Sequence, residues 1–386
     1  MSVTVPQGFR ASGTTAGLKD SGRPDVAVVV NDGPDRHAAA VFTTNRVAAA
    51  PVQWSRQVVQ DGRVDAVVLN SGGANAATGH QGFQDSHATA EHAAAQLGIS
   101  AGDVVVCSTG LIGLRLPMDR LLPGVTDAVG RLSAEGGQDA AEAIMTTDTV
   151  AKTAVHQGEG YTIGGMAKGA GMLAPGMATM LCVITTDAVL PAEQLDAALR
   201  EAVRTTLNRA DSDGCMSTND TVVLLSSGAS GTVPEAQGFA EGLRAVCADL
   251  TRQLMADAEG AAHEIAIRVV NASTEEAAEA VARAVSRSNL FKTAVFGQDP
   301  NWGRVISAVG TVPEDVAPFD AYALDVTFNG VQVCRAAGVG EDRDLVDLSG
   351  REVTVEIDLH AGDAEATVWT NDLTHDYVHE NSAYSS

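Results

Sequence analysis

The amino-acid sequence predicts an α+β fold of layered, mixed helices and sheets, with a smaller C-terminal α+β part that is rich in hairpins. Short apolar strands alternate with alanine-rich helical segments through most of the chain. Near the C-terminus, apolar and polar residues alternate in pairs of segments joined by tight turns, a pattern that predicts hairpins and disfavours a doubly wound parallel sheet. Hydrophobic residues make up 45% of the 386 residues, so the chain can bury a sizeable core.

In the first half of the chain, strands are predicted where an apolar run ends at Asn, Asp or Gly, and helices where apolar residues recur at helical spacing. The predicted strands are 26–30, 39–43, 64–69, 104–107 and 179–185, and the predicted helices are 85–97 and 140–145.

The second half follows the same rules. The predicted helices are 193–207, 235–258 and 275–285, and residues 266–270 form a predicted strand. Residues 323–334 alternate about Asn329-Gly330, the strongest short signal for a hairpin. Residues 353–359 and 364–370 are predicted to form a second strand pair around a short turn.

The charge balance excludes several classes of partner. Lysine and arginine total 25 against 49 acidic residues, a formal net charge of −24. Nucleic-acid grooves and anionic membranes need clustered positive charge, so neither partner is expected. No apolar run approaches the roughly 20 residues that span a bilayer. The N-terminus lacks the pattern of a secretion signal, so a cytoplasmic protein is expected.

No motif predicts a bound metal or cofactor. The five cysteines, at positions 107, 182, 215, 247 and 334, form no C-x-x-C pair and predict neither a zinc site nor a disulfide framework. The glycine-dense stretch 164–171 matches neither a P-loop nor a dinucleotide-binding fingerprint.

The strongest chemical signal is the segment 168–181, KGAGMLAPGMATML. A threonine at the mouth of an apolar strand is a poor nucleophile unless a base is adjacent, and no histidine or carboxylate lies between Lys168 and Cys182. Cleavage before Thr179 would create an α-amine beside its hydroxyl. The pKa of such an amine lies near neutrality, so it can act as the general base.

This segment resembles the self-cleavage and nucleophile region of the ornithine acetyltransferase family, also called bifunctional glutamate N-acetyltransferases, of arginine biosynthesis. The resemblance extends over essentially the whole chain. The matching blocks are VFTTNR (41–46), NSGGANAATG (70–79), STGLIG (108–113), IMTTDT (144–149), DSDGCMSTNDTV (211–222), DAEGA (257–261), DPNWGR (299–304) and HENSAYSS (379–386).

The resemblance implies a self-cleaving enzyme with a fold like those of N-terminal-nucleophile enzymes. The precursor is expected to cut itself between Ala178 and Thr179. Residues 1–178 then form an α chain and residues 179–386 a β chain, and the two associate as an α2β2 tetramer. Within the β chain, 179–270 is expected to complete the core layer and 271–386 to form the C-terminal α+β domain. Thr179 accepts acetyl from N-acetyl-ornithine and passes it to glutamate.

The resemblance also assigns roles to individual residues. It places the oxyanion hole at Thr109 and Gly110, where a buried strand ends. It places substrate contacts at the residues that match the family's binding positions, which are Thr146, Lys168, Thr179, Glu259, Asn381 and Ser386. Lys168 suits a carboxylate and Glu259 suits an ammonium group. His263 stands where the family often has lysine.

Three alternatives remain open at this point. Acetyl-CoA is a second possible donor, because a thioester could acylate the same threonine. A self-cleaved amidase or aminopeptidase would use water as the acceptor instead of glutamate. A non-catalytic binding protein for zwitterionic metabolites would remain uncut.

Overall fold

The computed structural model describes residues 2–172 and 180–383, which fall into two units. Within these ranges, the first unit contains the chain up to Asn208 together with Cys215–Asp257. The second unit contains Arg209–Gly214 and the chain from Ala258. The strand over 264–272 is part of this second unit, because it pairs with strands near the C-terminus.

The elements of the first unit alternate between strands and helices. In chain order they are β1 (Phe9–Thr14), β2 (Val26–Asn31), β3 (His37–Phe42), α1 (Ala50–Val58), β4 (Ala66–Asn70), α2 (Gly79–Leu97), β5 (Val104–Ser108), α3 (Met118–Gly130), α4 (Gly137–Ala143), β6 (Lys152–Gln157), β7 (Thr162–Lys168), β8 (Leu181–Thr186), α5 (Ala192–Thr205), β9 (Thr221–Ser226) and α6 (Ala236–Ala256).

Two sheets stack face to face in the first unit. One has the order β1-β2-β4-β5 and the other β3-β9-β8-β7-β6. Successive side chains of a strand point to opposite faces. Ala27, Val29 and Val67 thus belong to the apolar cluster that both sheets share, whereas Val28 and Val68 belong to a separate cluster with α2 and α3.

The outer face of the second sheet is covered in the same way by α5 and α6, through residues such as Leu199 and Leu243. The order of layers is therefore helices, sheet, sheet, helices. Because both faces of each sheet are covered, strands such as β2, β5, β8 and β9 are buried along their whole length.

The second unit consists of one sheet with helices. Its elements are β10 (Glu264–Ala272), α7 (Glu275–Ser286), α8 (Asn289–Phe296), α9 (Trp302–Val309), β11 (Asp325–Phe328), β12 (Val331–Arg335), β13 (Gly338–Val339), β14 (Glu352–Asp358), β15 (Ala364–Asn371) and α10 (His375–Ala383). The strand order is β13-β12-β11-β14-β10-β15. Ile265, Ile267 and Val269 face the cluster that contains α7, α8 and α9, while the residues between them are more exposed.

The structure confirms the predicted fold class, and most predicted elements are present with shifted ends. The hairpin at Asn329-Gly330 is present, with φ of 45° and 86° at the two turn residues, as tight hairpin turns require. The predicted strand 179–185 is found as Leu181–Thr186. No helix among the described residues is long and apolar enough to cross a bilayer.

The predicted pairing of 353–359 with 364–370 is wrong. Both segments are strands, but β10 lies between them, parallel to β14 and antiparallel to β15. The short turn made the two segments look like a hairpin. Instead, β10, which comes from much earlier in the chain, pairs with β14 along one edge and with β15 along the other. Sequence spacing cannot reveal that pairing.

Candidate active site

Strands from both sheets of the first unit end at one place. β5 leads directly into Thr109, β7 ends at Lys168, and β8 begins after Met180. In the register of β7 and β8, Lys168 lies opposite Leu181. Leu181 follows Thr179 by two residues in the chain. The Nζ of Lys168 donates to Thr109 Oγ1 at 3.4 Å, and both side chains are buried. The structure therefore brings Thr109 and Lys168 together beside the start of β8.

The turn after β5 has a backbone conformation that requires glycine. Gly110 has φ of +128°, and a Cβ there would lie 2.7 Å from the backbone nitrogen of Gly73. The neighbouring Thr109 N–H donates to the Asn70 carbonyl, and its carbonyl accepts from Gly73 N–H, each at 3.0 Å. Within the described part of the chain, the Gly110 N–H donates to no protein acceptor. The Thr109 hydroxyl accepts from Lys168, so its own hydrogen can also be donated outward.

Asp148 is the centre of the polar network beside Lys168. Its Oδ2 accepts from Thr146 N–H at 2.9 Å and from the Thr146 hydroxyl at 3.4 Å. Its Oδ1 accepts from Gly169 N–H and Lys152 Nζ, each at 2.6 Å. Burial alone would raise the pKa of Asp148, but the charges of Lys168 and Lys152 and these hydrogen bonds lower it to about 2. Asp148 is thus an ionised carboxylate that fixes both Thr146 and the residue after Lys168.

Lys152 links the carboxylate of Asp148 to that of Asp257. Its side chain is fully buried, and Nζ contacts both Asp148 and Asp257 at 2.6 Å. Asp257 also accepts from the backbone N–H of Thr149 at 3.0 Å. Two carboxylates and one ammonium group therefore hold the loop over residues 146–149 in place.

Lys19 adds a further cation next to the network. Its Nζ donates to the carbonyls of Pro24 at 2.7 Å and Met145 at 2.6 Å. Burial lowers the pKa of Lys19 to about 8, with the charge of Lys168 acting in the same direction and the charge of Asp148 opposing it. Lys19 therefore lies within electrostatic range of both groups and carries a proton at neutral pH.

Glu259 and Asn381 belong to the second unit, where their segments touch. Gly260 packs so closely on α10 that a Cβ there would lie 2.2 Å from Tyr377 N, and the Thr374 hydroxyl donates to the Gly260 carbonyl at 2.5 Å. Asn381 is exposed, and its Nδ2 donates to the Tyr377 carbonyl one helical turn earlier. The structure thus brings the Glu259 segment onto the helix that carries Asn381.

Three predicted residues and the departure from the family pattern at His263 remain. Ala178, Thr179 and Ser386 lie outside the described residues. His263 is buried, with Nδ1 at 2.7 Å from Asp372 and Nε2 at 3.1 Å from the Leu348 carbonyl, so it belongs to the interior of the second unit.

Four residues of this site were not among the predicted ones: Asp148, Lys152, Lys19 and Asp220. Asp148 lies in the matched block IMTTDT, which was the one available signal for it. Asp220 lies in the block DSDGCMSTNDTV, and its Oδ1 accepts from Met180 N–H at 2.9 Å. Lys152 follows Asp148 by four residues, but Lys168 is 20 residues from Asp148 and Met180 is 40 residues from Asp220, so residue spacing alone could not assemble the site.

Comparison with known proteins identifies relatives over the whole chain. A model of the ArgJ family matches residues 10–386. The arginine biosynthesis bifunctional protein ArgJ of Streptomyces coelicolor is 65% identical over 386 residues, and the corresponding protein of Thermobifida fusca is 63% identical. In both cases the alignment covers 100% of each chain.

Among solved structures, a crystal structure of ornithine acetyltransferase complexed with ornithine, from Mycobacterium tuberculosis, is 55% identical. It covers 47% of this chain and 96% of that chain, with a TM-score of 0.45. The family resemblance inferred from the sequence blocks is confirmed by the family match and the full-length relatives. On these grounds the chain belongs to the ArgJ family.

Proposed function

We propose that this protein is an acetyltransferase of arginine biosynthesis that moves an acetyl group from N2-acetyl-L-ornithine to L-glutamate. The contact between Lys168 and Thr109 beside the start of β8 carries this proposal. It gathers a cation for a carboxylate and a hydroxyl donor at the strand that Thr179 precedes in the chain. The names of the full-length relatives support the pathway.

The proposed maturation is a self-cleavage between Ala178 and Thr179. The Thr179 hydroxyl attacks the carbonyl carbon of Ala178, and the C–N bond breaks to leave an ester and a free α-amine. Water then hydrolyses the ester, which releases the carboxylate of Ala178 and restores the hydroxyl. The products are an α chain of 178 residues and a β chain of 208 residues, and we propose that they assemble as α2β2.

The proposed transfer is a ping-pong reaction through an acetyl-threonine. The α-amine of Thr179 takes the hydroxyl proton as the oxygen attacks the acetyl carbonyl. The Thr109 hydroxyl and the Gly110 N–H stabilise the oxyanion, and the C–N bond to ornithine breaks as its amine takes the proton. The glutamate amine then attacks the ester, N-acetylglutamate leaves, and Thr179 regains its proton.

The remaining residues are proposed to hold the amino-acid parts of the substrates. Lys168 binds a carboxylate and Glu259 binds an ammonium group, while Thr146, Asn381 and Ser386 supply neutral hydrogen bonds. Asp148 supports this assignment, because it fixes Thr146 and lies within electrostatic range of Lys168. Acetyl-CoA is proposed as a second acetyl donor at the same threonine, with no bound cofactor. Since both proposed substrates are metabolites of amino-acid synthesis, we infer a cytoplasmic location.

The deciding experiment is mass spectrometry of the purified protein together with a product assay. We expect two chains that meet at Ala178 and Thr179, and transfer of labelled acetyl from N-acetyl-ornithine to glutamate. Thr179→Ala should remain one inactive chain, whereas Thr179→Ser should still cleave, more slowly. Fully active protein that consists of one uncut chain would overturn the mechanism, and release of free acetate without N-acetylglutamate would instead identify a hydrolase.

A further inference from the structure

Asp220 is a buried carboxyl group that the mechanism above does not use. It immediately precedes β9, and its side chain is fully buried. Its own carbonyl accepts from Thr43 N–H at 2.9 Å, which fixes the backbone at this point. From there, Oδ1 accepts the N–H of Met180 at 2.9 Å.

The contact between Asp220 and Met180 is linked to Thr179, the proposed nucleophile, by the peptide bond between Thr179 and Met180. The nitrogen of Met180 belongs to the peptide bond that follows Thr179, so it is about 2.4 Å from the Thr179 Cα in any conformation of that bond. The carbonyl of Met180 accepts from Thr221 N–H at 3.2 Å. Both backbone polar groups of Met180, the residue that directly follows Thr179, are therefore hydrogen-bonded.

The surroundings of Asp220 favour the neutral acid. Among the described residues, Oδ2 of Asp220 has no hydrogen-bond partner. An ionised carboxylate with an unsatisfied buried oxygen costs more free energy than the neutral acid. Burial raises the pKa of Asp220 well above its usual value, which outweighs the opposing effects of the Met180 N–H, the Ser217 hydroxyl and the charge of Lys168. A neutral Asp220 also leaves the charge of Lys168 available to a substrate carboxylate.

We propose that Asp220 is a positioning residue for the nucleophile, which holds the nitrogen of Met180 as a neutral hydrogen-bond acceptor and thereby orients Thr179 for self-cleavage and for acetyl transfer. This role rests on the proposed function of Thr179. Misplacing a reacting group by about 1 Å can cost 10²-fold in rate, so one lost anchor at this distance has a large effect.

The test compares Asp220→Ala with Asp220→Asn in the full chain. Asparagine keeps a neutral oxygen that can accept from Met180 N–H, and alanine removes it. Asp187 supplies the matched control, because it directly follows β8, the strand that begins after Met180. It is also buried, and it accepts backbone N–H groups of Thr162 at 2.7 Å and Gln7 at 3.0 Å. Asp187→Ala therefore removes a buried carboxyl group that holds backbone N–H groups near the far end of β8.

The first measurement is the rate at which newly synthesised full-length protein becomes two chains. We expect Asp220→Ala to cleave about tenfold more slowly or worse than the wild type, as the loss of a buried hydrogen bond predicts. Asp220→Asn should cleave within about threefold of the wild type, since it retains the acceptor. Asp187→Ala should also stay within about threefold, even if its unfolding midpoint falls by as much as that of Asp220→Ala.

The second measurement is the steady-state kinetics of the cleaved fraction. Because Asp220 contacts Met180 and is not one of the proposed substrate-binding residues, we expect Asp220→Ala to lower kcat with little change in KM. Three outcomes would overturn the proposal while leaving self-cleavage intact. They are normal cleavage of Asp220→Ala, cleavage of Asp220→Asn that is as slow as that of Asp220→Ala, or an equal loss in Asp187→Ala. A wild-type protein that remains uncut would instead overturn the proposed function itself.

Discussion

Replacing Lys152 with methionine tests whether the buried ion network is required for stability. Lys152 is fully buried between Asp148 and Asp257, with Nζ at 2.6 Å from each carboxylate. Methionine fills a similar volume without charge, so the change leaves two buried carboxylates without their shared cation. Removing one partner of a buried ion pair costs about 3–5 kcal/mol, so we expect a loss of that size in the free energy of unfolding at pH 7.

The pH dependence of this loss provides a second, independent check. The pKa of Asp148 falls from 3.8 to about 2 in the folded protein, which corresponds to roughly 2 kcal/mol of stabilisation. Because the folded pKa is lowered, this stabilisation is complete above pH 3.8 and disappears as the pH falls through 2. Without Lys152 the pKa of Asp148 rises, so protonation relieves the uncompensated charge at a higher pH. The difference between variant and wild type should therefore be smaller at pH 4 than at pH 7.

The assay is urea unfolding followed by far-UV circular dichroism at both pH values. Lys152→Met/Asp257→Asn removes one charge of each sign and should recover much of the loss, since Asp148 still has Lys168 nearby. Arg200→Met is the control at a surface ion pair with Asp196, where the N–O distance is 2.7 Å but the side chains are 61% and 42% exposed. That control should change stability by less than about 1 kcal/mol. A loss below about 1 kcal/mol for Lys152→Met, or one that is the same at both pH values, would refute this reasoning.

Three further predictions concern catalysis and are tested by steady-state kinetics on cleaved protein. Thr109→Val should lower kcat by roughly 10²–10³-fold with little change in KM. Thr109→Ser keeps the hydroxyl and should keep most of the activity. Equal losses in the two variants would exclude the hydroxyl as an oxyanion donor. Gly110→Ala should also lower kcat, because the new Cβ would lie 2.7 Å from Gly73 N; Gly130→Ala, which meets no atom within 4 Å, should stay active. Lys168→Met should raise the KM for glutamate by roughly tenfold to hundredfold, and an unchanged KM would remove Lys168 from carboxylate binding.

Local patterns predicted the elements of the fold well where the cause of the structure is local. The turn at Asn329-Gly330 has positive φ at both residues, and asparagine and glycine tolerate that conformation best. Helix α2 ends before Gly98, whose φ is 70°, as the glycine predicted. The pairing of β14 and β15 failed because β10, which lies between them, comes from a distant part of the chain. Strand order depends on long-range apolar packing, and periodicity carries no information about it.

For the candidate site, too, the sequence predicted some residues and only the tertiary structure revealed the others. Motif blocks were sufficient to select Thr109, Gly110, Thr146 and Lys168, and the structure brings these residues close together. They were not sufficient to select Asp148 as the carboxylate that links Thr146 to the lysines. A carboxylate's role depends on which charges surround it, and here those charges are Lys152 at the start of β6 and Lys168 at the end of β7.

The sequence by itself determined the layered α+β class, the family, and the segment in which a threonine precedes an apolar strand. The class and the segment follow from residue types and their spacing along the chain, and the family follows from the resemblance of the sequence blocks. Only the tertiary structure decided that Lys152 is shared by two carboxylates, that Lys168 contacts Thr109, and that Asp220 holds the nitrogen of Met180. The physical reason is that burial and proximity set the charge state and the partners of each group, and both arise only when distant strands pack together.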